Sequence, residues 1–282
     1  MLDLRQTKEY AGYMESLGWI VLSTQDTGIK AQIFVRNIPL IGKVAKLQRP
    51  ERIDFLKLDK WFKENNIKAL YAEPSLPAYL LPPTYYPSKT CFVPSKTIHI
   101  DLTKPEKQLL KEMKPKTRYN IKVAQKNGVV VKESQDISEF ISLWGKSALT
   151  RGMWLPQKKE ISSLFLAFGS KAHILLATKN EQVLAGILII CTPNTAYYMY
   201  AGSLEMGKKL FAPTLVTWEG IRLAKKNGYK VFDFEGIYDE RYHSQTKSWQ
   251  GFTHFKEGFG GKIVTYPQTL VKYSNYFYKL LV

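Results

Sequence analysis

Polar and apolar positions along the chain fall into two rhythms, one near 3.6 residues and one near two. Residues 6–17 (QTKEYAGYMESL) predict an amphipathic helix. Residues 19–24 (WIVLST), 29–38 (IKAQIFVRNI) and 43–48 (KVAKLQ) read as strands. Ile53, Leu56, Leu58 and Trp61 then recur close to helical spacing across 51–64, and NNIKALYAEP reads as a turn entering a strand. Six prolines in residues 74–95 predict an irregular connection, a credible place for a domain boundary.

A second series follows. TIHIDL (97–102) is a strand, and Pro115 suits the first turn of a helix that Asn127 and Gly128 would end. VVVKE predicts a strand, Asp136 caps the next helix, and a short helix lies near 158–168. Three strands come next (HILLATK, VLAGILIIC, AYYMYAG), then a helix stopped by Gly228 and the strand KVFDFEG. Residues 245–258 have helical spacing, with Trp249, Phe252, Phe255 and Phe259 expected to face the core. KIVTY is a strand, and the chain closes on an amphipathic tail, TLVKYSNYFYKLLV.

The two halves share an order of elements: three antiparallel-looking strands, a helix ending in an Asn-containing turn, and a strand closing on an acidic residue. That weak duplication predicts an α+β fold built twice, with a cleft where the halves meet. We expect a first domain over 1–96 and a second over 97–267, with residues 268–282 packing back on the first.

Composition changes the picture in one respect. The formal charge is +17, from 41 Lys and Arg against 24 Asp and Glu, which favours a polyanionic partner. Cys91 and Cys191 lie far apart and no signal peptide opens the sequence, so a reduced, cytoplasmic protein is expected. No apolar run approaches the roughly 20 residues of a membrane span. His99, His173, His243 and His254 lack metal-ligand spacing, and neither metal nor cofactor is expected.

Candidate chemistry centres on HFKEGFGGK (254–262). Its glycines follow a helix, whereas a phosphate-cradling loop precedes a helix N-terminus, so GFGG reads as a C-terminal turn. Lys256 then stands in the last turn of that helix, where by itself a lysine is a cation favoured by the helix dipole.

PKTRYNIKVAQKNGVVV, YYMYAGS, GYKVFDFEGI and WQGFTHFKEGFGGKIVTYP occur in the order and spacing of the Fem-type (FemABX) peptidyltransferases. The resemblance is strongest from about Thr97 to Pro267, and the chain is similar to the short type without a coiled-coil arm. It implies two tandem acetyltransferase-like (GNAT) domains. It also implies transfer of an amino acid from aminoacyl-tRNA to the stem-peptide amine of a peptidoglycan precursor, nucleotide-linked or lipid-linked. Lys256 matches the lysine of the family's FK pair, which implies a charge-stabilising catalytic role, with Phe255 shaping the pocket. Tyr198 and Tyr200, expected on one strand face by the two-residue period, match substrate-contacting tyrosines. Arg151 resembles the arginine that holds precursor phosphate, and Asp233 and Glu235 fall at acidic positions that organise the site. Lys116, Arg118, Lys122 and Lys126 offer an RNA-facing helix, against the plainer reading of a solvated charged face. A monomer is expected.

One departure stands out. The family's first helix presents Trp and Lys for precursor phosphate, where this chain has EYAGYMESLGW, with Tyr10 and Glu15 near those positions and Trp19 not a simple replacement. The tail (Tyr273, Tyr276, Tyr278, Lys279) either packs on the first domain, as its shortness favours, or makes a peripheral contact at the inner face of the membrane. Alternatives are an acyl-CoA-dependent N-acyltransferase and a non-catalytic basic RNA-binding module. The turn GSLEMGKKLFAPT lacks the closely spaced glycines that the former uses for pyrophosphate.

Overall fold

The computed structural model describes residues 2–77, 82–150, 157–275 and Tyr278. The chain divides into two compact units. Unit 1 is Met1–Lys96, Tyr238–Ser248 and Thr265–Val282; unit 2 is Thr97–Ile237 and Trp249–Val264.

Unit 1 begins with α1 (Lys8–Ser16), held at its start by the Thr7 side chain, which accepts the Tyr10 N–H. Then come β1 (Ile20–Leu22), α2 (Thr24–Thr27), β2 (Ile33–Ile38), β3 (Gly42–Gln48), α3 (Phe55–Glu64), β4 (Ala69–Glu73) and β5 (Tyr86–Pro87). Unit 2 opens with β6 (Lys96–Asp101), α4 (Glu106–Glu112), α5 (Pro115–Lys126), β7 (Val130–Ser134), α6 (Ile137–Leu149) and α7 (Lys158–Phe168). It continues through β8 (Ala172–Lys179), β9 (Gln182–Cys191), β10 (Thr195–Ser203), α8 (Glu205–Lys209), α9 (Ala212–Lys226) and β11 (Val231–Asp233). The last elements are α10 (His243–Thr246), α11 (Gln250–Glu257), β12 (Lys262–Thr265) and β13 (Leu270–Tyr273).

The sheet of unit 1 has the order β1-β2-β3-β4-β13-β5. β2 and β3 form an antiparallel hairpin, α3 crosses over, and β4 lies parallel to β3 with Val44 opposite Ala69 and Gln48 opposite Glu73. β13 returns antiparallel to β4. Ile33, Val35, Ala45, Leu47, Leu70 and Ala72 point to one face, where Leu58, Trp61 and Phe62 of α3 cover them. Each buried Ile, Val, Leu or Phe among them contributes about 1.5–3 kcal/mol on burial.

Unit 2 repeats that plan in a sheet ordered β12-β6-β11-β10-β9-β8-β7. Antiparallel β9 and β10 are followed by the α9 crossover, β11 lies parallel to β10, and β6 sits antiparallel beside β11. Leu175, Ile187, Ile189 and Tyr198 pack with Leu215, Trp218 and Ile221 of α9 on one face. α6 covers the other face at Gly186 and Gly202, where an added Cβ would stand 2.9 Å from the Leu143 side chain and 3.1 Å from the Trp144 backbone. The duplicated order of strands and helices in the sequence is therefore a duplicated topology.

Two readings of the sequence need correcting. Residues 238–248 belong to unit 1, not to an unbroken second domain. The helix expected across 245–258 is broken, and α11 begins only at Gln250. The reason is local anchoring: the Thr246 hydroxyl bonds the Asp239 and Tyr242 carbonyls, while the Tyr242 hydroxyl accepts the Thr269 N–H within unit 1. The tail falls in unit 1 and contributes a strand at 270–273, in which Leu270, Val271 and Tyr273 pair with Ala72, Tyr71 and Ala69 of β4.

Candidate functional site

The parallel pair β10 and β11 matches over three positions, from Thr195 opposite Val231 to Tyr197 opposite Asp233. β10 then runs on to Ser203, while the other chain turns away. Phe234 N–H bonds the Ile98 carbonyl, and Glu235 adopts φ 60, an uncommon conformation for a non-glycine residue. Where β11 diverges, Lys256 of α11 enters.

Lys256 is 7% exposed and is the most buried residue of α11. Its ammonium donates to the Phe234 carbonyl at 2.7 Å and the Gly236 carbonyl at 2.6 Å. The cation lies 4.8 Å from the Phe252 ring centroid and 5.6 Å from that of Tyr198. An ammonium carries three donors, and the third makes no hydrogen bond among the described residues. Burial pulls its pKa down to about 8, against the attraction of Glu235 and Asp233. Taken by itself Lys256 would be a helix-end cation, and in the fold it is a buried one. The partly buried Trp249, Phe252 and Phe255 flank a buried lysine rather than seal a wholly apolar face.

Asp233 is buried and closes the other side of the turn. Its carboxylate accepts from the Thr97 hydroxyl at 2.5 Å, the Glu235 N–H at 2.7 Å and His99 Nε2 at 3.0 Å. Burial raises its pKa, but the bonds to His99 and Thr97 and the Glu235 N–H outweigh that and hold it below the usual carboxylate range. His99 and Thr97 had no sequence signal beyond polar positions in the strand TIHID, which the antiparallel register sets beside Asp233.

Phe255 packs edge-on against Phe259, 5.3 Å between centroids, at the margin of the core. The glycines after α11 are required: Gly260 and Gly261 have φ 79 and 90, and a Cβ on Gly261 would lie 2.6 Å from the His99 carbonyl. This turn ends a helix, as its sequence indicates.

Tyr198 and Tyr200 do not share a face. The β9–β10 register slips between them, so Tyr198 pairs with Ile189 and Tyr200 with Leu188. One extra residue in a strand breaks the two-residue period. Tyr198 packs on Phe232 and Phe234, with its hydroxyl 3.4 Å from Thr217 of α9. Tyr200 meets Trp144 of α6 instead, edge-on at 6.3 Å. Only Tyr198 is brought to Lys256.

On α5, Lys116, Lys122 and Lys126 are exposed, and Tyr119 between them is 63% exposed, a residue that the charge pattern passed over. Arg118 differs from its neighbours. Its guanidinium turns onto the Leu110, Lys111 and Met113 carbonyls at the end of α4, satisfying acceptors that a helix end leaves open. Arg151 lies outside the described residues. The β10–α9 connection is filled by α8, where a Cβ on Gly207 would overlap the Leu184 carbonyl, so no open glycine cradle stands there. Among the described residues no group of three or more His, Cys, Asp or Glu could hold a metal ion, and no helix is long and apolar enough to cross a membrane.

The profile of the FemAB family matches residues 87–182 and 178–281, well over half of the chain. The chain belongs to the FemAB family. Lys256, Tyr198, Asp233, Glu235 and α5 all lie within the FemAB matches. No curated protein sequence matches the chain. The fold is similar to the crystal structure of FemX, with a TM-score of 0.80 at 14% identity over 99% of this chain and 94% of that one. It is also similar to the C-terminal domain of a putative lysylphosphatidylglycerol synthetase from Agrobacterium fabrum (TM-score 0.65, 14% identity, 99% of this chain and 91% of that one). A third, L-PGS from Bacillus licheniformis, has a TM-score of 0.62 at 13% identity over 93% of this chain and 87% of that one. At such identities these likenesses concern the fold.

Proposed function

We propose that this FemAB protein transfers an amino acid from aminoacyl-tRNA to the stem-peptide amine of a peptidoglycan precursor. Family membership supports an aminoacyltransferase in the broad sense. The observation that carries the finer reading is Lys256: a buried ammonium with two donors fixed on backbone carbonyls and one unspent.

In the reaction the neutral acceptor amine adds to the ester carbonyl of the aminoacyl-tRNA, forming the new C–N bond. Negative charge gathers first on the carbonyl oxygen and then on the ribose oxygen as the C–O bond breaks. The amine gives up a proton, and the tRNA leaves with its hydroxyl restored. A cation whose position is already fixed stabilises that charge without reorganising, which is where such sites gain most. Tyr198 and Phe252 hold the ammonium against aromatic faces. Asp233, through the Glu235 N–H, fixes the turn whose carbonyls aim it. The exposed stripe of Lys116, Tyr119, Lys122 and Lys126 suits the donor: lysines for phosphates and a tyrosine for an unpaired base. In this reading Tyr200 and Arg151 contact the acceptor.

The test is a transfer assay with radiolabelled aminoacyl-tRNAs and UDP-linked muropeptide, run beside an acyl-CoA turnover assay. Label in the muropeptide is the expected result. Acyl-CoA turnover without label would replace this reading by the N-acyltransferase, and tRNA binding with neither activity would leave an RNA-binding module. The lysylphosphatidylglycerol synthetase folds favour including a lipid acceptor in the same assay.

A further inference from the structure

The β2–β3 hairpin of unit 1 turns through Pro39, Leu40 and Ile41. Ile38 stands opposite Gly42 in the ladder, and the Ile41 N–H donates to the Ile38 carbonyl. Pro39 and Leu40 are therefore the central pair of a tight turn. Pro39 suits the first position. Leu40 has φ 66, which is the second position of a type II turn, where glycine or asparagine is usual. Leu40 is also the most exposed large apolar side chain among the described residues, at 104%. A leucine here strains the backbone and gains no burial, so nothing in the free protein favours it over asparagine.

Cations surround this tip. Residues 27–50 carry Lys30, Arg36, Lys43, Lys46 and Arg49, and neither Asp nor Glu. Lys43 directly follows the turn and is exposed, as is Arg36 two residues before Ile38. Lys68, at the entry to β4, donates its N–H to the Lys43 carbonyl, and a Cβ on Gly42 would stand 3.0 Å from its Cγ. Among the described residues Arg36, Lys43 and Lys68 have no carboxylate partner; Lys68 donates to the Asn66 side chain. Glu64, the last residue of α3, is already paired with Lys60 at 3.8 Å. Ile38, Ile41 and Tyr273 pack, partly buried, on Val44, Ala69, Tyr71 and Val271, and the Tyr278 ring centroid is 5.6 Å from the Lys68 ammonium.

A protruding apolar point ringed by amines and tyrosines fits a lipid surface. Acyl chains take the leucine, headgroup phosphates take the cations, and tyrosine rings sit at the boundary between them. A folded protein partner would need a cavity shaped to the protruding side chain, whereas fluid hydrocarbon needs none. We propose that the tip of the β2–β3 hairpin docks unit 1 on an anionic phospholipid bilayer, Leu40 entering the acyl region and Arg36, Lys43 and Lys68 meeting the headgroups. One leucine and three cations make an attachment that is weak, reversible and salt-sensitive. The inference does not rest on the transfer reading, since vesicle binding needs neither donor nor acceptor. Within that reading, docking carries unit 1 to the surface where a lipid-linked acceptor lies.

The full chain would be co-sedimented with mixed phosphatidylglycerol–phosphatidylcholine vesicles and with phosphatidylcholine vesicles alone. Binding is expected to the mixed vesicles only, and it should fall as salt rises. Leu40→Asn suits the turn, so its thermal unfolding should be no lower than the parent's, yet its vesicle binding should weaken by about 10-fold or more. Lys43→Gln with Lys68→Gln should weaken it by about 10-fold or more and flatten the salt dependence. Leu166→Ala, at a residue 73% exposed on α7, should change it less than about 2-fold. An environment-sensitive dye attached through Leu40→Cys, in a Cys91→Ser background that leaves only the buried Cys191, should brighten on mixed vesicles. The same dye attached through Leu166→Cys should not. The proposal is overturned if the parent ignores mixed vesicles, if it binds phosphatidylcholine equally well, or if Leu40→Asn binds as the parent does. A dye at position 40 that stays in water on the bound protein would overturn insertion. Self-association without lipid, lost in Leu40→Asn, would replace the bilayer by a second copy of this chain. Vesicle binding without transfer would sink the transfer reading alone, and transfer to soluble muropeptide without vesicle binding would sink the docking alone.

Discussion

Replacing Lys256 by Met separates a catalytic cation from a structural one. The substitution keeps the length and apolar stem of the side chain and removes the ammonium. Two effects on stability oppose each other. The Phe234 and Gly236 carbonyls lose their donor, at about 1–3 kcal/mol each. Against this, a pKa drawn from 10.5 to about 8 means that holding the charged form in the fold costs about 3 kcal/mol at neutral pH, which the variant regains. The net lies between a gain of about 1 and a loss of about 3 kcal/mol. Transfer should suffer more, because a preorganised charge at a developing oxyanion contributes about 10²–10³ in kcat. Urea unfolding of parent and variant, beside single-turnover transfer from aminoacyl-tRNA at saturating acceptor, gives both numbers. A folded Lys256→Met retaining more than about a tenth of the parental rate would refute the role.

The pH dependence adds a check with a fixed sign. The charged form is the active one, so the parental rate should fall as pH rises through about 8, with a rising limb at lower pH from the acceptor amine. Stability moves the opposite way. The folded pKa lies below the unfolded one, so the unfolded chain binds more protons between about 8 and 10.5, and this residue's contribution to stability rises across that window. Lys256→Arg, charged throughout, should lose the falling limb of whatever rate it keeps.

Three other outcomes follow from the geometry. Asp233→Asn, which removes the buried carboxylate's charge beside His99 and Thr97, should lower stability by about 2–4 kcal/mol at pH 6–7. Because the folded pKa is depressed, that difference is present above the unfolded value near 4 and should vanish as pH falls through the folded one, as acid–urea titrations would show. Changing Lys116, Lys122 and Lys126 together to Gln should weaken tRNA binding and reduce its salt slope by about 2–3. Arg118→Ala should instead cost about 1–2 kcal/mol of stability through the open α4 carbonyls, with a smaller change in slope; equal slopes for both sets would contradict the division of labour on α5. Gly261→Ala, forced to φ 90 against the His99 carbonyl, should cost about 1–3 kcal/mol in thermal unfolding.

What the sequence revealed and what it hid divide along a physical line. Elements set by local rhythm and caps were readable: the Asp136 N-cap, Pro115 at the start of α5, most strands of both units and their duplicated order. Features set by distant partners were not. Lys256 reads as a helix-end cation until the carbonyls of residues 234 and 236 are found folded beneath it. Arg118 looks like its lysine neighbours until α4 presents its open carbonyls. The slip between Tyr198 and Tyr200 leaves no mark in YYMYAG, because a bulge changes the pairing and not the composition. Lys46 is the sharpest case. In KVAKLQ it is an ordinary polar position in an alternating strand, and the alternation is obeyed: it does leave the α3 face. What alternation cannot say is whether the opposite face meets water, and here Trp19 and Phe92, from two remote segments, stand over it. Half-buried Lys46 and buried Lys256 share that history, with a pKa near 8 and aromatic walls. They differ in one respect: the Lys256 ammonium is aimed by two backbone carbonyls, whereas Lys46 meets only aromatic rings among the described residues.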